Sequence, residues 1–213
     1  ERHSELALFI PPSKTAIELF ELVQRRSDLK QMLVAEKNRS QAPNTTISVK
    51  NSCNQMLEVL QRQIKDITAQ INKVIDLDPV LAQKKRILKT VPGIGDIVAF
   101  ELLILLPEIG QLDRRKIASL AGLAPRANDS GKYHGYRRTG HGRRGIKPVL
   151  FLAAMAARNS KTHLRAFYES LIARGKKKMV ALTALMRKLL VIANARLKEF
   201  YTLQTNVATR VNM

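Results

Sequence analysis

From Ser13 to about Arg39, apolar residues recur at loose helical spacing, with Leu22, Leu29 and Leu33 forming the clearest stripe. Pro11 and Pro12 end an irregular start, and the Ser13 hydroxyl is suited to cap the first turn that follows. The Gln41-Ala42-Pro43-Asn44 stretch interrupts the pattern. Beyond it, Cys53, Leu57, Leu60, Ile64, Ile67, Ile71 and Val74 follow in alternating steps of four and three, which is the seam of a second helix. A stripe this narrow buries itself against one or two partners. The preceding helix, folded back as an antiparallel hairpin, is the most economical of them, and pairing between copies is equally allowed.

At Asp78-Pro79 the pattern changes to short helices punctuated by Gly and Pro. Helices are predicted at about 79–90, 95–106, 114–121, 143–159, 162–174 and 177–200, the last dense in Ala, Leu, Met and Val. Only the loop over 124–142 offers room for a short β-hairpin. The expected fold is mainly α, a long helical hairpin or coiled coil followed by a compact all-helical domain. The predicted divisions are an irregular start over 1–12, the hairpin over 13–77, the compact domain over 78–202 and a flexible tail over 203–213.

Charge sharpens this picture. The 213 residues carry 37 Lys and Arg against 17 Asp and Glu, a formal net charge of +20. Such an excess is either neutralised by a polyanion or tolerated as self-repulsion, and nucleic acid is the leading partner. A membrane surface is the competing polyanion, but no apolar run reaches the roughly 20 residues that span a bilayer, so no membrane partner is expected. Cys53 is the single cysteine, no Cys/His cluster has zinc spacing, and the expected setting is a reducing one such as the cytoplasm. The carboxylates are scattered rather than paired, so neither a metal site nor a cofactor is expected within the chain. The opening Glu1-Arg2-His3 has no Met and no signal pattern, and reads as the start of a fragment.

The densest cationic segment follows Gly122-Leu123-Ala124-Pro125. It carries Arg126, Lys132, Arg137, Arg138, Arg143, Arg144 and Lys147, interleaved with glycines and with Tyr133 and Tyr136, whose rings are suited to stack on an unpaired base. A solvated charge run or a flexible linker are the plain alternatives. Ser130-Gly131 lies inside it. Serine before glycine is commonly a turn former, but a serine hydroxyl attacks phosphorus where cations offset the phosphoryl charge, and those cations are adjacent. Asp129, His134 and His141 are candidate proton acceptors or simply polar loop residues.

The segment Thr90-Val91-Pro92-Gly93-Ile94-Gly95 resembles the turn of a helix-hairpin-helix element. There Gly93 and Gly95 would let backbone amides approach a DNA phosphate without reading sequence. The alternative is a glycine turn that lets two helices pack closely. A second basic patch, Arg174-Gly175-Lys176-Lys177-Lys178 with Arg187-Lys188, is either a phosphate surface or a solvated helix start.

Taken together, Val91-Pro92-Gly93-Ile94-Gly95, Gly122-Leu123-Ala124-Pro125-Arg126 with Ser130-Gly131, the Gly140-to-Arg144 stretch and Arg158-Asn159-Ser160 ahead of Gly175-Lys176 resemble one family. It is that of the bridge-RNA-guided insertion-sequence transposases, which join a RuvC-like DEDD domain to a serine-bearing transposase domain, with the Piv invertase among them. The likeness extends from Pro11 to about Phe200. It implies that Ser130 is the nucleophile for DNA strand cleavage and exchange through a transient phosphoserine link. It also implies a structured guide RNA as second nucleic-acid partner, a homo-oligomer (dimer or tetramer), and a bacterial, nucleoid-associated setting. The family's four acidic residues, and the Mg²⁺ they hold, would lie upstream of Glu1, so these residues alone are expected not to recombine DNA. A non-catalytic helix-hairpin-helix module for DNA or RNA, or an RNA chaperone-like scaffold, are the other readings.

Overall fold

A computed structural model describes residues 11–127, 129–135 and 137–211. Most of the expected irregular start, with Asn128 and Tyr136, lies outside the described residues. The fold is mainly α. Eight helices are present among the described residues, with two short β pairings between the fifth and sixth helices. The chain divides into two units, Glu1–Val74 and Ile75–Met213.

The first unit holds α1 (Lys14–Ser40) and most of α2 (Ile47–Leu77). Ser13 caps α1 by accepting from the Ala16 amide at 3.2 Å. Leu19, Val23 and Leu29 of α1 are buried, as are Cys53, Leu60 and Ile71 of α2. Leu57, Ile64, Ile67 and Val74 of the expected seam are only half-buried. Arg26 Nε donates to Thr68 Oγ1 at 2.9 Å, and nearer the turn Glu36 reaches Cys53. The two contacts fall in antiparallel order along the helices. Burial first, and then the hydrogen bond that the thiol donates to Glu36, push the Cys53 pKa up, so the thiol stays protonated.

The second unit is built on α4 (Asp96–Leu105) and α8 (Lys178–Val211), around which α3 (Pro79–Lys89), α5 (Arg114–Leu120), α6 (Ile146–Arg158) and α7 (His163–Ala173) are packed. Helix α4 is buried nearly all round through Val98, Ala99, Phe100, Leu102, Leu103 and Leu105, and it packs against α3 and α6. Each of the larger of these side chains, Ala99 aside, contributes on the order of 1.5–3 kcal/mol when removed from water. Helix α8 packs on α3, α5, α6 and α7. Ala153, Ala154 and Ala157 on α6 and Ala181 and Ala193 on α8 are fully buried. Small side chains there let the helix axes approach closely.

Carboxylate caps start two of these helices. Asp78 Oδ1 accepts from the amides of Val80 and Leu81, and Asp113 Oδ1 from those of Arg115 and Lys116. One internal clamp has no sequence signature. Buried Asn194 of α8 accepts from the Gly110 amide at 2.7 Å and donates to the Leu112 carbonyl at 2.9 Å, holding the α4–α5 connection against α8.

Two boundaries differ from expectation. Helix α6 begins at Ile146, not 143, because the Arg143 amide is spent on the Leu120 carbonyl and Gly145 adopts a φ of +88°. Helix α8 continues to Val211 instead of ending near 200.

Candidate functional site

Between α5 and α6 the described residues form a ribbon of two short strand pairs. Strand β1 (Pro125–Arg126) pairs antiparallel with β4 (Arg138–Thr139), and further out β2 (Asp129–Ser130) pairs with β3 (Tyr133–His134). The register slips by one residue between these two pairings. Gly131 and Lys132 make the two-residue turn at the tip, Gly131 with a φ of +57°, the left-handed geometry that short hairpin turns require. Ser130 stands beside this turn, paired with Tyr133 and exposed to solvent.

The base of the ribbon is held by backbone contact. A β-carbon on Gly142 would stand 2.2 Å from the Gly122 amide nitrogen, and one on Gly122 would stand 2.7 Å from the Gly142 nitrogen. Only glycine fits at both. Next to this contact the Arg143 amide donates to the Leu120 carbonyl at 2.8 Å.

Arg143 also reaches inward. Its guanidinium forms a bidentate pair with Glu108, Nη1 to Oε2 at 2.7 Å and Nη2 to Oε1 at 2.6 Å, and Nη1 donates to the Leu105 carbonyl at 3.0 Å. The Leu105 carbonyl belongs to the last turn of α4, where orphan acceptors and the helix dipole favour a cation. The guanidinium hydrogen bonds hold the Glu108 carboxyl below its ordinary range. Arg143, expected among the phosphate contacts, therefore has its guanidinium engaged by a carboxylate and a carbonyl.

The other expected cations are differently placed. Arg126 and Arg138 are directly opposite in the ribbon and both exposed. Like charges in that position repel, which a bound polyanion relieves. Lys132 is exposed at the tip, and Arg137 and Arg144 are exposed, whereas Lys147 is half-buried on α6. Beyond Asp113 the chain's only acids are Asp129, Glu169 and Glu199, so in this part of the sequence cations far outnumber acids. Asp129 is exposed and its backbone pairs with that of His134, while His141 is exposed at a φ of +54°.

The two glycines of the α3–α4 turn have separate roles. Gly93, at a φ of +91°, lies against α6, where a β-carbon would stand 2.5 Å from the Ala153 carbonyl oxygen and 2.8 Å from the Ala157 β-carbon. Packing alone requires glycine there. Gly95 is exposed at the N-terminus of α4, with nothing within 4 Å of where a β-carbon would lie. The adjacent Asp96 is paired with Lys89 at 2.8 Å, and that hydrogen bond holds its pKa below the ordinary value.

Among the described residues no group of three or more His, Cys, Asp or Glu is placed to hold a metal ion. None of their helices is long and apolar enough to cross a membrane. Glu108, the Gly122–Gly142 contact and Asn194 are positions that sequence reasoning missed. The Arg143–Glu108 partners are 35 residues apart and carry no shared motif.

Residues 85–169 match the Transposase IS116/IS110/IS902 family. That span contains the α3–α4 turn, the ribbon with Ser130, and the Glu108–Arg143 pair. The chain is similar to the pilin gene-inverting proteins of Moraxella lacunata and Moraxella bovis, each 30% identical over 196 residues, 90% of this chain and 60% of theirs. It is also 31% identical over 145 residues to the insertion element IS110 uncharacterized 43.6 kDa protein of Streptomyces coelicolor, 67% of this chain and 35% of that one. The chain thus spans about three fifths of the length of its pilin gene-inverting relatives.

Proposed function

We propose that this chain serves DNA transposition or site-specific recombination, with Ser130 as the nucleophile. The placement of Ser130 carries the reading. It is exposed at the tip of a cationic ribbon, beyond the opposed Arg126 and Arg138, within the span that matches the transposase family.

In the proposed step Ser130 Oγ attacks a DNA phosphorus. An Oγ–P bond forms, the bond from phosphorus to one deoxyribose oxygen breaks, the released sugar oxygen takes up a proton, and the serine proton passes to water. Rejoining is the reverse with a different sugar hydroxyl. The phosphoserine link conserves the bond energy, so exchange needs no nucleotide hydrolysis. Arg126, Lys132, Arg137, Arg138 and Arg144 offset phosphate charge, in a sequence-independent and salt-dependent way. The described residues do not fit Mg²⁺, since they bring no three acids or histidines together; the acidic residues that the family resemblance implies would come from a RuvC-like segment outside residues 1–213. A structured guide RNA and a homo-oligomer complete the proposal, the RNA supplying sequence choice and the oligomer supplying several nucleophiles at once.

The test uses the whole reading frame that contains this chain, with guide RNA, Mg²⁺ and end-labelled DNA spanning a junction. Label that stays with protein after denaturation, in the native protein and not in Ser130→Ala, is the expected result. No covalent product while DNA binding is intact would overturn the nucleophile. The second reading, a non-catalytic backbone-gripping module, is favoured by the exposed Gly95 at the start of α4. In it Ser130→Ala changes nothing.

A further inference from the structure

We infer that Arg143 is a positioning residue that sets where Ser130 stands, by fastening the ribbon to the C-terminal end of α4 through Glu108 and the Leu105 carbonyl; this rests on the reading of Ser130 as the nucleophile. The ribbon needs such a fastening. Among the described residues neither strand pair packs on a helix, and Pro125 to Arg126, Asp129 to Lys132, and Arg137 and Arg138 are all exposed. A two-stranded ribbon standing alone is marginally stable in water. Its direction is therefore set from its base.

The base has two kinds of fastening at adjacent residues. The Gly122–Gly142 contact fixes distance but is non-directional packing, whereas Arg143 supplies direction. Its amide is tied to α5 at Leu120, and its planar guanidinium is tied at two oxygens to Glu108 and at a third to Leu105. A bidentate pair fixes orientation in a way that a single ammonium contact does not.

Lever length makes this matter. From Pro125 to Ser130 is five residues, at most about 17 Å of extended chain, so a tilt of about 5° at the base moves Ser130 by up to about 1.5 Å. A displacement of even about 1 Å from attack geometry costs on the order of 100-fold in rate. Loss of the pair thus acts on the rate of the covalent step rather than on affinity.

Glu108→Gln separates this role from a phosphate contact, because the two assign it opposite consequences. If Arg143 positions the ribbon, Arg143→Lys and Glu108→Gln both slow covalent transfer to Ser130 at saturating DNA by about 10-fold or more, with DNA affinity changed less than about 2-fold. Both also speed amide exchange across residues 129–134 and leave α6 and α8 unchanged. If Arg143 instead binds phosphate, Glu108→Gln frees it and tightens binding to a random-sequence duplex, while Arg143→Lys keeps affinity and Arg143→Ala lowers the salt slope by about 0.9. That second pattern, or unchanged ribbon exchange in both conservative variants, overturns the inference. Amide exchange needs no chemistry at Ser130, so failure of the nucleophile assignment and failure of the positioning role are read separately.

Discussion

Gly142 and Gly122 lie back to back where the ribbon leaves the helical core, with no room for a β-carbon on either. Gly142→Ala forces 2.2–2.4 Å clashes against backbone atoms that cannot rotate away. Overpacking of this kind costs about 1–3 kcal/mol or detaches the connection. We expect a lower denaturation midpoint for Gly142→Ala, together with faster amide exchange in the ribbon. Gly140→Ala is the control, since nothing lies within 4 Å of its β-position and its φ is not positive. Equal loss in both variants would mean that the close approach does not hold the ribbon.

Acid should loosen the same region. Glu108 has its pKa lowered chiefly by the Arg143 hydrogen bonds, and Asp96 chiefly by that from Lys89. A carboxylate with a depressed folded-state pKa gives stability that is complete above its unfolded value, near about 4, and is lost as pH falls through the folded value. Both pairs are substantially exposed, so each is worth at most about 1 kcal/mol after solvent screening. Glu108→Gln should be less stable than native protein near pH 7 and converge with it as pH falls below about 4. A stability difference that persists unchanged into acid would assign the loss to packing rather than to the ion pair.

What the sequence makes legible depends on how locally each signal acts. Helix positions follow from local periodicity and, for α1, from the Ser13 cap; the Asp78 and Asp113 caps that the structure adds likewise act within three residues. The hairpin at 124–142 was legible only as a possibility, because its strands are two residues each and carry no alternation. In sequence Arg143 falls among the other cations, because nothing local distinguishes it from Arg144. Its partner Glu108 lies on the far side of α5 in sequence, and the contact exists only once α4, α5 and the ribbon base are packed. Gly93 shows the same limit in reverse: a motif suggesting phosphate also satisfied a packing demand from Ala153 and Ala157 on α6.

Asn194 offers a test of the core free of any functional reading. Its side chain is buried and serves both the Gly110 amide and the Leu112 carbonyl. Asn194→Leu has similar volume and strands both groups, at a cost of about 1–3 kcal/mol for each group left unsatisfied. Asn194→Asp keeps the acceptor and loses the donor, and should fall between. Thermal denaturation ranks the three, and a Leu variant as stable as native would show that the α4–α5 connection is held by apolar packing alone.

The opposed Arg126 and Arg138 yield a prediction in which stability and binding move in opposite directions. Facing like charges destabilise a ribbon pair by a few tenths of a kcal/mol, up to about 1. Replacing one with Gln or Thr should therefore leave the free protein as stable as native or slightly more so. If the pair grips phosphate, the same change weakens binding to any duplex sequence and lowers the dependence of log K on log salt by about 0.9 for each cation removed. Circular dichroism melts and a salt titration of duplex binding on Arg126→Gln, Arg138→Gln and the double variant read both quantities. A ribbon that gains stability while losing salt-dependent affinity is one whose charge serves its ligand. Unchanged affinity across the series would remove Arg126 and Arg138 from the interface and leave Lys132, Arg137 and Arg144 to account for it.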